Sequence, residues 1–459
     1  MKQTITTDFT QGRIFRQLIV FAVPFMLSNL LQLMYTTVDA VIVGRFVGSA
    51  GLAGVSIGGS LAEIVMHVEM SLATAGQVLI SQYIGVGDRG RIEKTIGTMM
   101  RFIVVSSLAF ALLYLGCWPA FLRWMQVPAE AFNDARAYLL VSTAGFLFVC
   151  GYNGLCAVLR AAGDSRRPFY IIAAAAVTNV ALDLLFVVAF RWGAAGAALA
   201  TVLSQLESML LSAVILYRHR KSLGLRFGRE MLRRDAKITA LMLKQAIPLS
   251  IKSVALSGSN LFVSAWINSY GVQAVAAVTV GRKATMFNSI TSQGLMNAGT
   301  SMIGQNIGAR KFDRVQKIVT INGLISLCTF FLYSAVYILF IDDLFGLFTT
   351  DPAVLAYAHV FLPAMILGLV SNSIMIPFFT LVMGSGFARF NLAVSILDGI
   401  VLRVGLSLLL GAVCGYGVKG FFLGDNLAAL GTALPSAAFY FSGVWRRRVL
   451  IEPDGEMEC

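Results

Sequence analysis

The sequence predicts an all-α integral membrane protein whose twelve transmembrane helices form two pseudo-symmetric six-helix bundles. Three observations predict it. The chain is 57% hydrophobic and only 13% charged, where soluble domains carry roughly 25% charged residues. Long stretches, among them 137–159, 318–341 and 353–388, contain no Asp, Glu, Lys or Arg, and each exceeds the roughly 20 residues a helix needs to cross a bilayer. They do not alternate apolar with polar, as barrel strands do. Finally, the chain repeats itself at an offset of 223 or 224 residues.

The spans are expected at 17–43, 52–84, 95–118, 134–158, 168–190, 194–218, 241–269, 274–308, 318–341, 353–383, 390–413 and 420–444. The polar N-terminus, "MKQTITTDFTQGRIFRQ", and the first span lack the features of a cleavable signal, so that span is read as a retained helix. After the second span comes "IGVGDRG", with Gly85, Gly87 and Gly90 at dinucleotide-loop spacing. That motif requires a short strand before it and an acid about 20 residues beyond it. Neither is present, and the residues after it are basic. The cysteines show no spacing for a metal site or a disulfide framework.

The same loop returns. "SQYIGVGDRGRIEKTIGT" (81–98) aligns with "GQNIGARKFDRVQKIVT" (304–320), matching Gln82, Ile84 and Gly85 to Gln305, Ile307 and Gly308. The residues around Pro24 parallel those around Pro248, and "VLRAAGDSRRPF" parallels "LVMGSGFARFNL". A loop that occurs twice between apolar spans is a helix–helix connection, with glycine allowing a sharp turn. The halves are expected at 1–217 and 241–445, joined by a basic cytoplasmic connector at 218–240 and followed by a tail at 446–459. Six spans per copy give both copies the same orientation, a parallel repeat about the membrane normal.

A net charge of +13 invites a nucleic-acid reading. Its distribution argues against one. Basic residues crowd alternate connections: Arg13 and Arg16; Arg89, Arg91 and Lys94; Arg160, Arg166 and Arg167; the run from Arg218 to Lys237; Arg310, Lys311, Arg314 and Lys317; Arg389; and Arg446 to Arg448. The intervening connections hold only Arg45, Arg123, Arg191 and Lys419. This positive-inside pattern puts both termini in the cytoplasm of a multi-pass protein. The basic patches then face anionic lipid. The expected partners are small-molecule substrates and membrane lipid, with no nucleic acid and no nucleotide. An enzyme is not expected: the three His residues are scattered and no H-E-x-x-H or D-D-x-x-D lies in a span.

An acid at mid-bilayer costs roughly 2.5–3.5 kcal/mol on insertion scales and is therefore a functional candidate. Asp39 lies deep in the first span. Asn29, Gln32, Thr36 and Asp39 are spaced 3, 4 and 3, which sets them on one helical face. In the fifth span, Asn179 and Asp183 share a face in the same way. Their counterparts in the second half are uncharged: Val263 stands for Asp39 and Leu406 for Asp183. The halves share a scaffold, and an ion site belongs to the first. Lys252, Arg282 and Lys283 are expected within about 12 Å of span ends at 1.5 Å per residue, near enough for their heads to reach the interface. Glu63 and His67 are four apart and in reach of each other. Asp398 and Arg403 are expected to pair.

The order of Pro24, Gln32 and Asp39-Ala-Val-Ile-Val-Gly44, then "ISQYIGVGD", then "LRAAGDSRRP", over nearly the whole chain, resembles the multidrug and toxic compound extrusion (MATE) transporters. The resemblance implies two lobes enclosing a central cleft that opens alternately to either side. It implies export of organic cations in exchange for H+ or Na+, with no other cofactor. In one branch of the family, an acid in helix one and an Asn and Asp in helix five bind the coupling ion. Asp39, Asn179, Asp183 and Thr201 match that pattern, and Asn153 and Gln32 extend it. The oxygens of Asp39, Asp183 and Asn179 also suit Na+. A branch with acids in helices seven and ten is not matched: helix seven has Lys252 and helix ten has no acid. Substrate contacts in the cleft are expected from Met34, Tyr35, Glu69, Asn260, Met286 and Met296, since soft, polarizable side chains suit promiscuous binding. A monomer in the inner (cytoplasmic) membrane is expected. The second reading is a transporter of lipid-linked precursors or anionic metabolites in the same superfamily.

Overall fold

The computed structural model describes residues 7–221, 225–226, 228, 231 and 233–447. Of the expected tail, residues 448–459 lie outside the described residues, as do six residues of the 218–240 connector in addition to 222. The described chain is helical, with no strand. The helices are α1 (Ile14–Phe46), α2 (Ser49–Val86), α3 (Arg89–Trp124), α4 (Phe132–Ala144), α5 (Phe146–Ala161), α6 (Arg166–Asp183), α7 (Gly193–Arg218) and α8 (Ala236–Asn268). They continue with α9 (Val272–Ala284), α10 (Met286–Gly308), α11 (Phe312–Gly346), α12 (Tyr357–Ser385), α13 (Ala388–Ile396), α14 (Arg403–Leu408), α15 (Gly417–Ala428) and α16 (Leu430–Ser442).

Each expected span falls on a helix or on a run of adjoining helices. Among the described residues, nine helices are individually long and apolar enough to cross a membrane. Three spans expected as single helices are broken well inside their length instead. The fourth bends by 49° at the junction of α4 and α5, where Gly145 packs against Val202. The eighth is interrupted at Thr285 between α9 and α10, and the twelfth at Ala429 between α15 and α16. No proline lies at these breaks. By contrast, Pro363 and Pro377 both lie inside the continuous α12. The backbone widens into a π-helical turn at Leu184–Ala189, directly after Asp183, and again at Leu397–Leu402 around Asp398. Such turns occur frequently at functional sites.

The glycine loop is a connection between two caps. Gly87 ends α2 with φ +84°, the left-handed turn that glycine takes without a steric penalty, and the Asp88 carboxylate accepts the Arg91 N–H at 3.0 Å to start α3. The repeat extends to the backbone. Left-handed residues recur in register at Gly48 and Gly271, Gly87 and Arg310, Gly163 and Gly386, and Gly193 and Gly417.

The chain forms two compact units, and they do not follow its linear halves. The first takes 23–247, with residues 7–8, and the second takes 9–22 and 248–447 of the described chain. The division therefore falls next to Pro24 in α1 and at Pro248 in α8. In the first unit, Leu61, Val65, Tyr114, Leu139 and Phe146 form one core cluster. The described part of the connector is bound to this unit: Glu93 accepts the Arg226 N–H, and Arg101 donates to the Arg233 carbonyl at 3.3 Å. In the second unit, Phe361 stacks on Phe422 within a core that includes Tyr337, Phe345 and Phe421. The N-terminal segment belongs here. Gln305 Oε1 accepts the Phe9 N–H at 3.1 Å, while Asn306 and Arg314 donate to its carbonyl at 3.0 and 2.8 Å.

Candidate functional site

The first unit gathers a set of acids and amides that apolar packing alone does not explain. Asp183 is fully buried and Asn179 is 1% exposed, the two lying one turn apart on α6. Asp39 comes from α1, and its carboxyl group lies within direct interaction range of that of Asp183. Both oxygens of Asp183, Oδ1 of Asp39 and both polar atoms of Asn179 are buried without a hydrogen-bond partner among the described residues. Leaving a buried polar atom unpaired costs about 1–3 kcal/mol, and more for a charged one. Two carboxylates at this range do not both stay ionised in a dry site unless a cation joins them. The arrangement therefore suits uptake of a proton or of a hard cation between the two acids.

Tyr138 of α4 lies near both acids and Tyr35 of α1 near Asp39, while Gln205 Oε1 of α7 is buried without a hydrogen-bond partner among the described residues. Tyr138 and Gln205 were not readable as site residues in the sequence. Tyrosine is common in apolar spans, and Gln205 carries no charge to mark it. A signal was available in the run Ser204-Gln205-Leu206-Glu207, the densest polar group in its span. The other residues of the α1 stripe are less engaged: Gln32 and Thr36 are exposed, and the Thr36 hydroxyl bonds to Leu33 O.

Thr201 donates to Ala197 O at 3.1 Å and Asn153 to Val149 O at 3.0 Å, each within its own helix. Neither is among the side chains seen acting on the acid pair. Glu69 is 1% exposed on α2, beside Ser106 and Cys150, and both its oxygens lack a hydrogen-bond partner among the described residues. Met34 is exposed, whereas Asn260, Met286 and Met296 in the second unit are half-buried. Glu63 and His67 are both exposed and form no ion pair among the described residues. No group of three or more His, Cys, Asp or Glu side chains gathers for a metal among those residues.

One enzyme-like spacing is present. Gly54-Val55-Ser56-Ile57-Gly58 has the form G-x-S-x-G, which in hydrolases sits on a strand-to-helix turn. Here it lies inside α2, and its glycines make room for Asp134, Ala135 and Tyr138 of α4. It is a helix-packing contact.

The second unit carries a different electrostatic pattern. Arg403 pairs with Asp398 at 3.2 Å and with Asp425, and Thr432 donates to Asp398 at 2.8 Å. Arg282 approaches Asp425 at 3.8 Å and Ser264 at 3.5 Å. Lys252 does not lie near a helix end, as its span boundaries had suggested. It is sixteen residues from either end of the 33-residue α8, about 24 Å at 1.5 Å per residue. Helix α8 begins at Ala236, five residues before the expected span, and so carries Lys252 further from its end than the span alone suggested.

Comparison with known proteins agrees with the repeat. The MatE family profile matches residues 24–185 and again 248–409. The chain is 29% identical over 449 residues to the probable multidrug resistance protein YpnP of Bacillus subtilis, covering 96% of this chain and 97% of that one. It is 22% identical over 412 residues to the multidrug export protein MepA of Staphylococcus saprophyticus, covering 88% of each. A solved MATE family multidrug resistance transporter in an outward-facing conformation superposes with a TM-score of 0.86 at 20% identity, over 97% of this chain and 98% of that chain. A variant of the Vibrio cholerae MATE transporter VcmN gives 0.86 at 19% identity, over 95% and 99%. At these identities the solved structures establish the fold, while the doubled family match, over most of the chain, establishes descent. The chain belongs to the MatE family of multidrug efflux transporters, which are membrane transporters and not enzymes.

Proposed function

We propose that this chain is a secondary active exporter of organic small molecules. It exchanges them for H+ or Na+ by alternating access, and Asp39 and Asp183 form the ion-coupling site. The observation that carries this reading is the pair of facing carboxyl groups in the first unit, with the buried oxygens of Asp183 and Oδ1 of Asp39 unpartnered and Asn179 beside them. An ion arriving there neutralises the pair and removes the cost of holding it. Its departure restores the repulsion and favours a different packing of α1. Differential stability of two packings is what lets an ion gradient drive a conformational cycle. Thr201, Asn153 and Gln32 complete the polar surroundings in this reading. Tyr35, Met34, Glu69, Asn260, Met286 and Met296 remain the proposed substrate contacts. The multidrug names of the relatives support a small, amphipathic and often cationic cargo. The protein works in the cytoplasmic membrane as a single chain with both termini inside.

The test is export of a cationic dye from proteoliposomes under a pH gradient and, separately, under a sodium gradient. One of the two gradients drives export by the wild type. Asp39→Asn and Asp183→Asn each reduce the driven rate at least about tenfold, a loss of about 1.4 kcal/mol or more in coupling. Undiminished driven export by both variants sinks the assignment.

A further inference from the structure

The cations and acids at membrane depth in the second unit do not balance. Arg403 is held between Asp398 and Asp425, and Arg282 shares Asp425. Both acids are thereby engaged by arginine. The remaining described acids of this unit, Asp313, Asp342, Asp343 and Asp351, lie at helix ends or in connections. Lys252 is the third cation of the group and forms no ion pair with an acid among the described residues. Its Nζ stands 3.9 Å from the centre of the Phe379 ring. Ala255, Leu256 and Ser259 follow it at helical spacing on the same face of α8. That face packs on the π-helical turn bearing Asp398: Ala255 and Leu256 lie against Gly399, and Ser259 donates to the Gly399 carbonyl. Lys252 therefore belongs to the same cluster as Asp398 and Arg403.

Within this cluster three cations meet two acids, which leaves one positive charge inside an apolar helix. A lysine at a helix end reaches the interface, but Lys252 has about 24 Å of helix on either side. Contact with an aromatic face is worth roughly 2 kcal/mol or more for a desolvated cation and offsets part of the roughly 2.5–3.5 kcal/mol cost of a charge within a span, but it supplies no counter-charge. The first unit has the opposite sign, with Asp39, Asp183, Glu69 and Glu207 all holding buried unpartnered oxygens.

We propose that Lys252, set beside the Asp398–Arg403–Asp425–Arg282 network, is the binding point for an oxyanion, a carboxylate or phosphate group carried by the transported molecule. This deepens the exporter reading and rests on it. It narrows the cargo to molecules bearing a carboxylate or phosphate. Lys252 supplies the charge, and Arg403 keeps both acids from capturing it.

Two dyes test this. Rhodamine 110 carries a free carboxylate, and rhodamine 123 is its methyl ester on the same fluorophore. Fluorescence anisotropy of each with the full-length protein in phosphatidylcholine nanodiscs reads binding without any gradient. The wild type binds rhodamine 110 at least about tenfold more tightly than rhodamine 123, as expected for one added charge-assisted hydrogen bond. Lys252→Met brings rhodamine 110 to the level of its ester and leaves the ester unchanged, which also shows that the variant is folded. Lys252→Arg keeps the preference. Phosphatidylglycerol in the discs displaces rhodamine 110 from the wild type if the natural oxyanion is a lipid headgroup, and leaves it bound if the source is soluble. Either result supports an oxyanion site and identifies its occupant. Equal binding of the two dyes by the wild type, no binding of rhodamine 110, or an equal loss of both dyes in Lys252→Met overturns the proposal. Failure of the exporter reading is separate: the preference is present, but no imposed gradient moves either dye in proteoliposomes.

Discussion

Asp39 and Asp183 act on one another, so their substitutions do not add. Residues in one network show interaction energies of 0.5–3 kcal/mol. The double variant Asp39→Asn/Asp183→Asn is therefore expected to export no more slowly than the slower single variant, as initial rates in proteoliposomes will show. Arg403 has a structural task instead. Removing one partner of a buried ion pair costs about 3–5 kcal/mol, because the remaining charges stay buried. Arg403→Ala leaves Asp398 and Asp425 facing each other without their shared cation. Its unfolding midpoint in detergent is expected to fall by several degrees, while Glu63→Ala, at an exposed position, leaves the midpoint unchanged. At this scale the sequence was legible wherever a residue was chemically out of place. An Asp within an apolar run stands out, and both acids of the pair were found in that way. Tyr138 and Gln205 do not stand out, because a tyrosine or an uncharged amide in an apolar span is not chemically out of place. Lys252 was seen, but the helix that carries it runs further than the apolar run from which it was read.

Helices in this chain are positioned by small residues more than by interlocking large ones. Gly420 and Gly424, four apart on α15, form a small-xxx-small face. A Cβ at Gly420 would overlap the Leu410 carbonyl, and one at Gly424 would overlap the backbone of Leu406 and Ser407. The next residue, Asp425, is thereby brought to Arg403. Gly424→Val is expected to force α15 away from that backbone and to loosen the ion pair with it. Overpacking of this kind costs about 1–3 kcal/mol or more, read as a lower unfolding midpoint, and Gly116→Ala, in open space, serves as the control. The spans themselves were legible because a charge-free run of more than 20 residues has few other physical uses. Their interruptions at Thr285 and Ala429 were not, since no proline marks either and the Arg282-Lys283 pair before Thr285 was read as lying near a span end. Nor did the sequence reveal that 9–22 belongs with the second unit. That placement depends on Gln305, Asn306 and Arg314, some 300 residues away in sequence.

The whole molecule is a duplication whose copies have kept their backbone and diverged in charge. Left-handed turns recur in register and the family profile matches twice, yet the first copy buries unpartnered acids and the second a cluster with an excess of cations. A parallel repeat of six spans constrains topology strongly, because both copies must enter the membrane from the same side. The loop containing Arg89, Arg91 and Lys94 and its twin containing Arg310, Lys311, Arg314 and Lys317 then face one compartment. The connections holding only Arg45, Arg123 or Arg191 face the other. Charge bias in short loops sets orientation toward the cytoplasm, so the basic set is expected inside. A green fluorescent protein fused after Cys459 is therefore expected to fluoresce. Alkaline phosphatase inserted at Gln126, in the turn after α3, is expected to be active, and the same enzyme inserted at Lys221 inactive. The Lys221 result carries the most weight. An odd number of spans in the first copy would reverse it, and with it the parallel relation on which both charge assignments depend.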